Sequence, residues 1–250
     1  MNPILVTGSS GRIGRAVVQE LQARGHTVRG FDRVESPGVS EMLVGTLTSV
    51  VDVARSMIGI HTVIHLAATP DDADFLAEIV PNNIVGVYHI FEEAQKAGVK
   101  RLIVASSGQV VWHQRMTGPL PIGVDTQPTP RYWYAAGKLF LEGAGRAFAE
   151  KFGMEVIAVR LGWCPRTPEQ VEEIGAEQWA QDVYLSPGDA GRFFACAAEA
   201  TLEQKFNVVY ATSKPRRAMY DLETTRRLLG FEPAEAWPQG VDLVMSSGDR

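Results

Sequence analysis

The sequence is short of several features, and each shortage removes a class of function. Cysteine occurs only twice in 250 residues, at Cys164 and Cys196. That separation fits no metal-ligand spacing and allows at most one bridge, so the expectation is two reduced thiols in a cytoplasmic protein without a bound metal. Positive charge is not in excess: 24 Lys and Arg face 29 Asp and Glu, for a net charge of −5. Neither nucleic acid nor an anionic membrane surface is therefore an expected partner. No apolar run is long enough to span a bilayer, and no early one has the length and charged flank of a signal-peptide core. Internal repeats, charge blocks and low-complexity segments are absent too. What is present is 45% hydrophobic residues, enough for one large core and a single domain over residues 1–250.

The organising stretch is the opening one. Ile4-Leu5-Val6 is a short apolar run that predicts a strand buried on both faces. Thr7-Gly8-Ser9-Ser10-Gly11-Arg12-Ile13-Gly14 follows, and Ala16-Val17-Val18 and Leu21 then take up helical spacing. Strand, glycine-rich turn and helix together make a dinucleotide site. Glycine lets backbone approach a pyrophosphate, and the free N–H groups of the helix start favour its charge. About 20 residues on, the strand predicted over His26 to Phe31 ends at Asp32. A carboxylate there accepts hydrogen bonds from the adenosine ribose and repels a 2′-phosphate, which argues for NAD. Arg33 beside it and Arg12 in the turn keep NADP open.

Further strands are predicted at Met42–Val44, His61–Leu66, Arg101–Ala105, Met154–Arg160 and Phe206–Tyr210, with helices between them. One runs from about Ser49 to Ile58. Another contains Pro81, with Asn82 as a possible cap, and continues toward Gly98. Ser186-Pro187-Gly188-Asp189 opens a late helix with a cap, a proline and an acid. Asp221 to Leu229 is a helix stopped by Gly230, and Trp179 and Tyr184 fall in an irregular stretch. The residues from about Ser246 are expected to fray. Alternation of strand and helix predicts an α/β fold, a doubly wound parallel sheet with helices on both faces. A small substrate lobe is expected from about 161–185 and 205–245.

The chemistry-bearing constellation is Tyr134-Ala-Ala-Gly-Lys138, with tyrosine and lysine four apart and so on one helical face. A tyrosine with a pKa near 10 is a poor base at neutral pH, and a nearby ammonium favours the phenolate. Ser106-Ser107 closes the fifth strand 27 residues before Tyr134, where a hydroxyl could hold a substrate oxygen beside the tyrosine.

The glycine turn in GxxGxxG spacing, the Ser-Ser pair and Tyr-xxx-Lys resemble the short-chain dehydrogenase/reductase family. His65-Leu66-Ala67-Ala68 resembles its extended, epimerase/dehydratase branch. Val159-Arg160-Leu161-Gly162, Leu185-Ser186-Pro187 and Leu229-Gly230-Phe231-Glu232-Pro233 extend the likeness over about Ile4 to Pro238, most closely to uronate dehydrogenases. Those enzymes oxidise a hexuronic acid at its anomeric carbon with NAD. The resemblance implies catalysis by Ser107, Tyr134 and Lys138. Ser107 is preferred over Ser106 because sugar-active members place the serine five residues before the position held here by Trp112. It implies cofactor contacts from Gly8, Ser10, Gly11, Arg12, Ile13, Gly14, Asp32, Leu66, Ala67 and Ala68, and also from Tyr134 and Lys138. Thr46-Leu47 stands where the family has an Asp-Leu pair beside the adenine, and Asn83 matches a buried asparagine that supports backbone near the catalytic residues. His65 is expected to be structural.

A substrate pocket is implied at Thr69, Gly108, Gln109, Trp163 and Trp179, and there the likeness breaks. Gly108-Gln109 replaces Asn-His, Trp163 and Pro70 replace serines, and Trp179 stands at or beside the arginine that grips the uronate carboxylate. An indole cannot replace a guanidinium. The expected pocket is more aromatic and less charged, with Arg131 or Arg166 the only candidates to recover a carboxylate. The leading reading is an NAD-dependent dehydrogenase of a small sugar-like substrate. A nucleotide-sugar epimerase and a cofactor-sensing protein without chemistry are the alternatives. Two helices, about Asn82 to Ala97 and Arg131 to Lys151, carry apolar residues round much of their circumference, and the resemblance implies a homodimer through them.

Overall fold

Short aliphatic runs, each bounded by polar or glycine-rich turns, form seven parallel strands in a computed structural model that describes residues 3–71 and 73–241. The strands are β1 (Ile4–Thr7), β2 (Val28–Asp32), β3 (Glu41–Val44), β4 (Thr62–His65), β5 (Arg101–Ser107), β6 (Glu155–Leu161) and β7 (Phe206–Ala211). Their order across the sheet is β3-β2-β1-β4-β5-β6-β7. Every residue of β1, β4 and β5 is buried, as the middle of a sheet covered on both faces requires. One core lies under the helices α2 (Val50–Met57), α3 (Gly86–Lys96) and α5 (Trp133–Phe152), with Leu5, Val63, Phe91, Leu102 and Leu141 at its centre. The other lies under α1 (Arg12–Ala23), α8 (Pro187–Glu199) and α9 (Leu222–Leu229), around Val6, Leu21, Ile103, Phe193 and Phe194. Each such large side chain contributes about 1.5–3 kcal/mol by leaving water.

The chain runs outward from β1 to β3, then crosses back to β4 on the other side of β1. Adjacent strands whose connections leave in opposite directions open a crevice at their carboxyl ends, and ligands bind there in folds of this kind. β5 and β6 pair along their whole length, setting Ser107 opposite Leu161.

Three expectations require correction. Asn82 caps no helix. The segment containing Pro81 is a π-helix, Phe75–Val85, capped by Asp74, whose carboxylate accepts from the Ala77 amide at 2.7 Å, and it runs directly into α3. The wider turn accommodates a proline that an α-helix interior would reject. Trp179 does not lie in irregular chain: α6 (Pro168–Ala176) and α7 (Gln178–Asp182) occupy that stretch. Thr167 caps α6 through the Gln170 amide and Pro168 follows it, the same cap-then-proline signal read correctly at Ser186. Finally, Phe206–Ala211, in a stretch expected to contribute to a substrate lobe, is the outer strand of the sheet. The fraying expected from about Ser246 lies outside the described residues. The short helix α4 (Gln114–Thr117) follows a 3₁₀ turn at Gly108–Val111. Among the described residues, no helix is long and apolar enough to cross a membrane.

Candidate active site

The turn after β1 is built around close contacts that only glycine permits. Gly8 has φ +71°, and a Cβ there would lie 2.7 Å from the Ala67 amide nitrogen. At Gly14 a Cβ would overlap the Gly8 carbonyl oxygen and come within 2.9 Å of the Ser9 Cα. The first turn of α1 therefore packs directly on the loop. Gly11 caps α1 without a side-chain hydrogen bond, and no acidic residue occupies the first turn. The amides around Arg12, Ile13 and Gly14 thus have no competing carboxylate in the first turn of the helix, an arrangement that suits a pyrophosphate. The Asp32 carboxylate is fixed at the β2 end by the Ser10 amide at 3.0 Å and the Arg33 amide at 2.6 Å. This donor set fits a dinucleotide with an unmodified ribose.

Other expected cofactor residues sit differently. Thr7 Oγ1 accepts from the Ala67 amide at 3.2 Å and meets His65 Nδ1 at 2.8 Å, tying the ends of β1 and β4 together where Leu66, Ala67 and Ala68 begin. Burial, and then the Lys138 charge, lower the His65 pKa to about 3, so the ring is neutral and structural. Thr46 donates its amide to Asp52 at 3.3 Å. Leu47 is turned into the core, where its side chain packs where Gly86 has none. Arg12 donates to the Gly240 carbonyl at 3.2 Å.

Ser107, Tyr134 and Lys138 come together from β5 and α5. The Ser107 hydroxyl is near enough to Tyr134 to favour its phenolate, and it accepts from the Gln109 amide at 3.2 Å. Lys138 is 5% exposed, donates to the Ala105 carbonyl at 2.7 Å and lies 5.4 Å from the Tyr134 ring centroid. Burial draws the Lys138 pKa down to about 8. Burial first, and then Asp71, raise Tyr134 to about 12, against the lowering effect of Arg166 and Ser107. Tyr134 is thus a phenol at neutral pH, ready to give a proton. Accepting one needs an added positive charge close to the ring.

Around these groups runs a polar frame that sequence reasoning only partly found. Asn83, 3% exposed, accepts from the Thr69 amide and donates to the Thr69 carbonyl, both at 2.8 Å. Ser106 is occupied by structure: its hydroxyl donates to Glu142 at 2.6 Å. Glu142 in turn pairs with Arg160 at 2.9 Å in the interior. Arg160 also donates to the Tyr210 hydroxyl at 3.1 Å, and Tyr210 stacks on Tyr220 at 4.5 Å. Gly108 is required because the Tyr220 hydroxyl occupies the space a side chain would need. Glu142 was readable as the third residue, after Tyr134 and Lys138, on one helical face.

Two of the residues expected in the substrate pocket, Trp163 and Trp179, belong to an aromatic cluster that also takes in Trp112. Trp163 stacks on Trp179 at 6.1 Å, and Trp112 meets Trp179 edge-on at 5.8 Å. The expectation of low charge is overturned. The Arg115 guanidinium lies 3.2 Å from the Trp112 ring centroid and 3.8 Å from that of Trp179, and Arg131 lies 3.8 Å from Trp112. Arg166 is committed elsewhere, in a very short ion pair with Asp71. Trp112 and Arg115 were missed because nothing in their spacing marks them. The four-residue helix that turns Arg115 back onto the indoles has no periodic signature.

Residues 4–163 match the family described as NAD dependent epimerase/dehydratase. Over 251 residues the chain is 29% identical to an L-arabinose 1-dehydrogenase (NAD(P)(+)) of Haloferax volcanii, an alignment covering 94% of this chain and 97% of that one. It is 28% identical over 252 residues to an NAD-dependent glucose-6-phosphate dehydrogenase of the same organism, covering 93% of each. In structure it is similar to a glucuronic acid dehydrogenase from Chromohalobacter salexigens, with a TM-score of 0.81 and 26% identity over 94% of this chain and 85% of that one.

Proposed function

The chain belongs to the NAD dependent epimerase/dehydratase family, and we propose from that premise that it is an NAD-dependent dehydrogenase oxidising a hydroxyl or lactol of a small sugar. The observation that carries this reading is the convergence of Ser107, Tyr134 and Lys138 at the strand ends beside the glycine turn and Asp32. NAD bound in its oxidised form would supply both the hydride acceptor and a positive charge beside the tyrosine. Ser107 holds the substrate oxygen against Tyr134. With its own proton released to water under these positive charges, the Tyr134 phenolate oxygen would take the substrate's O–H proton as the carbon gives up hydride, leaving a carbonyl. Lys138, buried beside the ring, stabilises the phenolate that this requires, and the same groups run in reverse for reduction. Asn83 and Thr69 keep the loop after β4 in place over the cleft.

Full-length similarity to dehydrogenases favours this over an epimerase, and a cofactor sensor would not need the three catalytic side chains. The substrate lobe in this reading comprises about 161–185 and the chain beyond Ala211. Thr69, Gly108, Gln109, Trp163 and Trp179 line the substrate side. A homodimer is part of the proposal. It is supported by Tyr88 on α3 at 57% exposure and Trp133 and Phe140 on α5 at 62% and 42%, while Leu139 packs inward. A cytoplasmic location is also part of it, consistent with two cysteines in 250 residues. The test is NADH formation, followed by absorbance, with NAD and a panel of aldoses, uronates and sugar phosphates. A panel without a single turned-over member refutes the reading.

A further inference from the structure

Two arginines share one indole in the stretch of chain that leads from Ser107 to α5. Arg115 and Arg131 both lie within 3.8 Å of the Trp112 ring centroid, so their guanidiniums are separated by no more than the two sides of one indole. Among the described residues, no carboxylate pairs with either. The buried Arg115 Nε has no hydrogen-bond partner. Two like charges held this close on an apolar support are a cost to the fold unless an anion joins them. Burial, and to a lesser degree the Arg131 charge, pull the Arg115 pKa down to about 10, so Arg115 remains cationic at neutral pH.

The pair is tied to the catalytic serine along two routes. The Arg131 amide donates to the Gln109 carbonyl at 3.4 Å, and the Gln109 amide donates to Ser107 Oγ at 3.2 Å. From Ser107 the 3₁₀ turn Gly108–Val111 leads straight to Trp112. Four residues of such a turn rise about 8 Å, comparable to a hexose ring with its exocyclic arm. A sugar with its reacting hydroxyl at Ser107 and Tyr134 would therefore bring a terminal substituent to the arginines.

We infer that Arg115 and Arg131, supported by Trp112 and Trp179, form the receptor for a dianionic phosphoryl group on the substrate, so that the preferred substrate class is a sugar phosphate. The inference rests on the dehydrogenase reading for the position of the reacting hydroxyl. A phosphate ester at neutral pH carries nearly two charges and three acceptor oxygens, matching two guanidinium forks. A carboxylate balances only one. A neutral sugar leaves both arginines unpaired.

Isothermal titration calorimetry tests this without turnover, with NADH present throughout and glucose 6-phosphate, glucuronate and glucose as the probes. Glucose 6-phosphate should bind at least about tenfold more tightly than glucuronate, and glucose more weakly than either. Arg131→Gln removes an exposed side chain and should weaken glucose 6-phosphate binding about ten- to a hundredfold, leaving glucose unchanged. Arg115→Met should do the same; since Arg115 packs between two indoles, the Arg131 variant carries the test by itself. Equal affinity for glucose 6-phosphate and glucose, or an Arg131→Gln loss shared by all three probes, overturns the inference. Glucuronate bound as tightly as the phosphate overturns the dianion assignment. Arginine-dependent phosphate binding in a protein that forms no NADH with any sugar would uphold the receptor and refute the dehydrogenase reading, so the two failures are distinguishable.

Discussion

Replacing His65 with asparagine should make the protein less sensitive to acid, and the size of the effect follows from where the ring sits. His65 is 2% exposed at the end of β4, with Nδ1 against Thr7 Oγ1 at 2.8 Å. Burial, with Lys138 as a second cause, lowers its pKa from 6.5 to about 3. Below pH 6.5 the unfolded chain protonates this imidazole while the folded protein does not. The unfolded state then binds more protons, and stability falls with pH by about 1.4 kcal/mol per unit until about pH 3. At pH 4.5 the loss from this one group is about 3 kcal/mol, a large share of the stability of an ordinary domain. Asparagine keeps a polar atom for Thr7 and cannot titrate. Urea unfolding at pH 8 and pH 4.5 should show wild type losing about 3 kcal/mol more than His65→Asn between the two conditions. Carboxylates also contribute to acid loss. Against the opposing effect of burial, Arg101 holds Glu155 low, and His26 and Arg24 hold Glu199 low. They do so in both proteins, and the comparison cancels them. Equal losses in the two proteins would refute the reasoning and mean that the ring takes its proton without unfolding.

Two further outcomes follow from other parts of the fold. Asp32→Ala should narrow the preference for NAD over NADP chiefly by weakening NAD, as measured by cofactor titration, since the carboxylate fixed by the Ser10 and Arg33 amides is then lost; an unchanged preference contradicts the assignment. Light scattering at micromolar concentration should give a dimer mass for wild type and a monomer mass for Phe140→Glu, which places a charge on the exposed face of α5. A wild-type monomer rules the dimer out.

The sequence was most legible where backbone geometry dictates residue type. Gly8 and Gly14 are forced by contacts with Ala67 and with the loop itself, so their spacing carried the cofactor turn and the helix after it. Strands with every residue buried read as unbroken apolar runs, which is why β1, β4 and β5 were found within a residue or two. The π-helix was not legible, because Pro81 reads as a break whatever wider turn surrounds it. Helix α6 had a legible signal in Thr167-Pro168-Glu169, but its three glutamates hid the buried Ile174 on its inner face. Glu142 and Arg160 lie 18 residues apart in the chain and meet only once α5 packs on β6, so no local pattern marks the pair, although Glu142 itself shares a helical face with Tyr134 and Lys138. Arg115 was least legible of all. A short helix returns it to Trp112 and Trp179, and that contact runs against the expectation of a less charged pocket.

The central claim is that Tyr134 is the acid/base group of an NAD-dependent oxidation. The most direct measurement compares wild type and Tyr134→Phe in two assays, NADH formation with the best sugar of the panel and NAD binding by calorimetry. Phenylalanine keeps the ring beside Lys138 and removes only the hydroxyl, so circular dichroism and NAD affinity should match wild type. The general acid–base contribution is about two to four decades, and kcat should fall by that much. Turnover within a few-fold of wild type, in a variant that still binds NAD, would contradict the account and move the proton transfer to another group.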